Sequence, residues 1–159
     1  MLLHTDRLPS GYTMIGQAEN IGFDAERLFF VRSDTHLFVL SKSPVLSFQK
    51  EDEPGIKVAQ SVYPVTAAAW FVEAVENQLW KSSKEGGLPE GVYHVVKEID
   101  GEEIKVSRDM NCGARYQKGI SWKNLSRKPI DRNFGYQERQ ITDQALIEGG
   151  VLDILRKVI

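Results

Sequence analysis

PVTAAAWFVEAVENQLWK, residues 64 to 81, is the one stretch in the first 140 residues with a sustained helical pattern, and segments that read as strands and turns lie on both sides of it. At 100° per residue, Ala68, Phe71, Val72, Val75 and Leu79 fall on one side of the wheel, and Glu73, Glu76 and Asn77 on the other. The spacing predicts an amphipathic helix over about 66–81. Thr66 is placed to cap it, because its hydroxyl can accept an orphan N–H of the first turn, and Pro64 suits a chain still extended before the cap. Gly86 and Gly87 are expected to end it.

Before this helix the signals are short strands. Tyr12 to Ile15 lies between Gly11 and Gly16, and Leu28–Val31 and Leu37–Leu40 read as a hairpin with a loop of about four residues. Both arms are almost continuously apolar, which implies cover on both faces or a mid-sheet position. Ser43 and Pro44 are expected to break the chain, Val45–Phe48 to form another strand, and Ile56–Val62 to lead extended into the helix.

After the helix, SSKEGGLPEG (residues 82 to 91) is a turn-rich link and the one candidate subdivision of what otherwise reads as a single domain. Asp100-Gly101 then marks a tight hairpin, since a type I′ turn needs two positive φ angles. Pairing across it sets Ile99 against Glu102, Lys97 against Ile104, Val95 against Val106 and Tyr93 against Arg108. Tyr93, Val95, Ile104 and Val106 should therefore face the core, and His94, Val96, Lys105 and Ser107 a half-solvated side. Ile120–Trp122 reads as a strand, and the rest of 109–140 as loop. Thr142 or Asp143 can cap a C-terminal helix over about 143–158, in which Ile147, Val151, Ile154, Leu155 and Val158 share a face that Gly149 and Gly150 would split. These elements predict an α+β fold, mainly antiparallel sheet.

The chain has 159 residues, the size of one ordinary domain, and a net charge of −2, which argues against whole-protein attraction to nucleic acid or anionic membrane. Its single cysteine, Cys112, can form no intramolecular disulfide, and its first apolar run is too short for a signal peptide, so a cytoplasmic address is the expectation.

Three features bear on function. Trp70 and Trp80 lie off the apolar stripe of the helix and need a second surface, either the protein itself or a partner. From Arg108 to Arg139 eight Lys or Arg stand against three acids, so the stretch carries about +5 in a chain that is negative as a whole. Aromatic residues are interleaved with these cations, a composition that suits phosphate-bearing ligands or single strands, and equally a solvated loop paired with the acidic remainder. The C-terminal helix has a wide apolar stripe, including residues 158 and 159, from which a homo-oligomer contact is an expectation.

Catalytic signals are thin. His94, Asp109 and Cys112 supply the ingredients of a thiol site if the fold assembles them. The three histidines lack ligand spacing, so no metal or cofactor is expected, and no GxSxG, HExxH, GxGxxG or P-loop pattern occurs. The sequence therefore favours a non-enzymatic binding or assembly module acting through protein–protein or anionic-ligand contacts. Its expected surface comprises Trp70, Trp80, Arg115, Tyr116, Lys118, Trp122, Lys123, Arg127 and Lys128. The alternatives are a small enzyme with a cleft near His94, Asp109 and Cys112, and a nucleic-acid binder using residues 108–139.

Overall fold

Each half of the chain folds into an antiparallel meander, and the helical stretch joins the two. In the computed structural model, which describes residues 1–158, β1 (Thr13–Glu19), β2 (Arg27–Arg32), β3 (His36–Pro44) and β4 (Ile56–Pro64) form one four-stranded sheet in that order. A second contains β5 (His94–Ile99), β6 (Glu102–Asp109), β7 (Gly119–Asn124) and β8 (Gln137–Thr142). The protein is α+β with antiparallel sheets, as its sequence pattern implies.

In the first sheet β2 and β3 are the inner strands, and both faces are covered, which explains their unbroken apolar runs. Leu28, Phe30, Leu37 and Val39 enter the main core. Val31, Phe38, Leu40, Val58 and Val62 enter a smaller one, closed by Leu3 and by Leu2, Leu8 and Tyr12 of the N-terminal segment. The expected strand Val45–Phe48 is absent. β3 runs through Ser43 and Pro44, its last pair is Pro44 with Ile56, and the chain leaves the sheet with Phe48 81% exposed. A short apolar run with no neighbour to pair with has no ladder to join.

In the second sheet Asp100 and Gly101 take φ of 49° and 82°, and the resulting register is the one the turn dictates: Ile99 with Glu102, Lys97 with Ile104, Val95 with Val106. Ile104 and Val106 are fully buried, but Tyr93 is 64% exposed, because it precedes an edge strand and belongs to the loop that approaches it. β8 falls in the segment expected to be loop. Two of its three core-side positions are Gln137 and Arg139, so apolar alternation was missing where the strand is polar by design of its packing.

The central helix is α1 (Ala67–Ala74), continued by a π-helical turn, Val75–Leu79, that ends where the Trp80 N–H donates to the Val75 carbonyl at 2.9 Å. Ala68, Phe71, Val72 and Val75 are buried, as the wheel requires. Thr66 is not a side-chain cap: it has helical φ and ψ, and its hydroxyl donates to Asp100 Oδ2 at 2.9 Å, tying the helix start to the hairpin turn. Nor do Gly86 and Gly87 end the helix; they shape the loop after a separate 3-10 turn, Ser83–Glu85.

The expected C-terminal helix is two, α2 (Asp143–Ile147) and α3 (Val151–Arg156), divided at Gly149 and Gly150, the latter at φ 82°. Thr142 caps α2 by accepting from the Ala145 N–H at 3.0 Å. Leu155 and Val158 lie in the main core, so they present no outward stripe for a partner, while Ile147, expected on the buried face, is 62% exposed. Ile159, part of the expected stripe, lies outside the described residues.

The centre of the core is Trp122 on β7, stacked between Tyr63 of β4 at 4.0 Å and Phe71 of α1 at 4.1 Å. One ring from each sheet and one from the helix thus meet. Beside this stack the sheets join through polar groups. Gln137 Oε1 accepts from the Val62 N–H and Asn124 Nδ2 donates to the Val62 carbonyl, both at 2.8 Å, and Arg139 donates to the hydroxyls of Ser61 and Ser41.

Candidate functional site

A cleft of about 660 Å³ opens where the π-helical turn delivers the chain into the 82–93 loop. Leu79 and Trp80 form one wall, Leu88, Pro89, Val92 and Tyr93 of the loop another, and Arg108, Met110 and Lys118 the side toward the second sheet. The loop has defined supports. Ser82 and Glu85 form a capping box, the Gly87 N–H donates to the Ser82 carbonyl at 2.9 Å, and the Arg108 N–H donates to the Tyr93 carbonyl at 2.8 Å. Gly87 cannot carry a side chain, since a Cβ would lie 2.1 Å from the Lys81 carbonyl oxygen.

π-helical turns recur at functional sites because the wide turn redirects the side chains that follow it. Here it brings Trp80 over the first residue of α2. Its indole Nε1 donates to Asp143 Oδ1 at 3.1 Å, and Arg108 grips both oxygens of the same carboxylate, at 2.7 and 2.8 Å. The cleft is lined by four cations, Lys81, Lys84, Arg108 and Lys118, against one carboxylate, Glu90. Among the described residues that line it there is no histidine, cysteine or aspartate. A second cleft, of about 220 Å³, lies at the β4 edge, but Lys57, Arg132 and Arg139 there are balanced by Asp52, Asp131 and Glu138. Charge gives that one no preference.

The structure scatters most of the residues singled out from sequence. Trp80 and Lys118 line the larger cleft. Trp70 is half-buried and packs against the main core, as does Trp80. Trp122, expected at a surface, is fully buried, since alternation along β7 turns it inward with Ile120. Arg115 stacks on the exposed Tyr116 ring at 4.8 Å. Lys123 lies 3.6 Å from Glu138, Arg127 bonds Glu102 at 2.5 Å, and Lys128 is exposed. Several cations of the 108–139 stretch are thus paired with acids of the same chain.

His94, Asp109 and Cys112 do not form a thiol site. His94 is exposed on β5, and Asp109 accepts from the Asn111 N–H at 2.9 Å and from Gln140 at 2.8 Å. Cys112 is buried, and burial together with the charges of Asp109 and Asp143 pushes its thiol up to about 12, so it supplies no thiolate at neutral pH. Among the described residues no three His, Cys, Asp or Glu gather to hold a metal ion, and no helix is long and apolar enough to cross a membrane.

Sequence reasoning did not assign Tyr93 to a binding surface, and it took in Arg108 only as the first cation of the 108–139 stretch. The signal was present, because the Asp100-Gly101 turn already sets Tyr93 opposite Arg108, next to the turn-rich link. Compared with known proteins, the chain matches no family model, no curated protein and no solved structure.

Proposed function

We propose that the chain is a non-catalytic binding module whose cleft takes an amphipathic anion, a flat or apolar body carrying a phosphate, sulfonate or carboxylate. The observation that carries this reading is the pairing of aromatic walls, Trp80 and Tyr93, with four cations against one carboxylate in a protein of net charge −2. A cleft of about 660 Å³ falls within the usual range for small-molecule sites, roughly 300–1,000 Å³. Lys81, Lys84 and Lys118 stand at its exposed rim, where they can attract and pair an anion while the rings cover the apolar body.

The test is a titration with 1-naphthyl phosphate followed at the three tryptophan indole N–H resonances. The Trp80 signal should move while that of buried Trp122 stays. Uncharged 1-naphthol should bind at least about tenfold more weakly, and Lys118→Glu should weaken the phosphate and leave the alcohol unchanged. An unmoved Trp80 signal, or equal affinity for the two probes, overturns the reading.

A further inference from the structure

β5 is an open edge of the second sheet. Because the Arg108 N–H donates to the Tyr93 carbonyl, the pairs Tyr93–Arg108, Val95–Val106 and Lys97–Ile104 are the hydrogen-bonded ones of this ladder. The backbone N–H and C=O groups of His94, Val96 and Glu98 therefore point outward, and none of them has a partner among the described residues. No proline or bulge, two of the devices that close an edge, interrupts the strand; its shortness and Lys97 limit the edge to a weak, specific contact.

The side chains along this edge are self-complementary. His94, Val96 and Glu98 alternate on the solvent face, all exposed, Val96 by 44%. Glu98 lies directly opposite Glu103, a like-charge pair of the kind that weakens a sheet unless a cation or donor stands on the other side.

We propose that the β5 edge is a contact between two copies of this chain, paired antiparallel about Val96, which joins their second sheets into one of eight strands. In that register Val96 meets Val96, and His94 faces Glu98 of the second copy, so each copy brings one imidazole N–H to the other's Glu98–Glu103 pair. On the opposite face Tyr93 meets Ile99, and Val95 meets Lys97. All three outward residues then exchange their hydrogen bonds with the second copy. A register centred on Lys97 would instead set lysine against lysine, so charge selects the first. A strand pair this short buries less than the roughly 1,200–2,000 Å² of a stable complex, and the dimer forms reversibly with concentration.

Sedimentation equilibrium over a wide concentration series tests this. The mass should rise from 18.0 kDa toward twice that value. His94→Glu places a third carboxylate beside Glu98 and Glu103 of the other copy and should raise the dissociation constant at least about tenfold. Adding Glu98→Lys to the same chain restores opposite charges across the edge and should recover the dimer. Val96→Pro removes an N–H that the strand's own ladder does not use, and should also abolish pairing. Circular dichroism of each variant confirms that the fold is kept. A wild type that stays at 18.0 kDa throughout, or a dimer that survives both His94→Glu and Val96→Pro, overturns the proposal.

Discussion

Arg108 holds Asp143 by two parallel hydrogen bonds, Nη1 to Oδ1 at 2.7 Å and Nη2 to Oδ2 at 2.8 Å, a fork that fixes both side chains in one plane. Through Asp143, which also accepts from Trp80, three elements that carry the cleft are locked together: the end of the π-helical turn, the end of β6 and the first turn of α2. The arrangement has a cost for anion binding. Asp143 partly neutralises the one guanidinium that faces the cleft, so the scaffold and the proposed ligand compete for the same charge.

That competition can be measured with Asp143→Asn. The variant keeps a side-chain oxygen for Trp80 but loses the ion pair, and should cost about 1–3 kcal/mol in urea unfolding, as hydrogen bonds to charged groups do. Affinity for 1-naphthyl phosphate should move the other way, rising by about tenfold as Arg108 is released. A fall in both quantities would make Arg108 a structural residue only.

Glu102 joins the two sheets differently. Burial alone would raise its pKa, but hydrogen bonds from Arg127, Asn124 and His36, with the Arg127 charge, outweigh burial and hold it at about 2, against an ordinary value of 4.5. A folded-state pKa below the unfolded one gives stability that is fully present above about pH 4.5 and lost as pH falls toward about 2. After discounting for solvent screening this amounts to about 1–2 kcal/mol. Glu102→Gln should therefore melt below the wild type at neutral pH, and the gap between their melting temperatures should close on acidification to about pH 2. A gap that persists at low pH would assign the loss to packing instead of charge.

What the sequence made legible follows from where local chemistry acts alone. The Asp100-Gly101 turn carries its own φ requirement, and the register it implies is found to the residue. The stripe from Ala68 to Val75 needs only one apolar face and is buried as a unit. β8 was hidden because Gln137 and Arg139 face inward, where polar residues are spent on the junction with the first sheet. The cation-rich composition from Arg115 to Lys128 points Trp122 to a surface, whereas alternation along β7 turns it to the core and Lys123 outward. The cleft itself arises from the meeting of a π-helical turn, a loop and a strand end, and its wall residues Tyr93 and Arg108 come together across a hairpin, not along a motif.

Val62 shows how the exposed edge of the first sheet is closed. β4 is an outer strand, and the Val62 N–H points away from β3, yet it donates to Gln137 Oε1 at 2.8 Å in a buried setting. The amide of Val62 should accordingly exchange with solvent as slowly as those bonded within the sheet. Gln137→Met fills similar space but offers no acceptor of comparable strength, leaving a buried N–H unpaired at a cost of about 1–3 kcal/mol. Hydrogen exchange at Val62 should then accelerate at least about tenfold, while amides bonded between β3 and β4 change only by the global loss of stability. Unchanged protection at Val62 would mean that packing of Tyr63 against Trp122 of the second sheet, and not this hydrogen bond, excludes water from the junction.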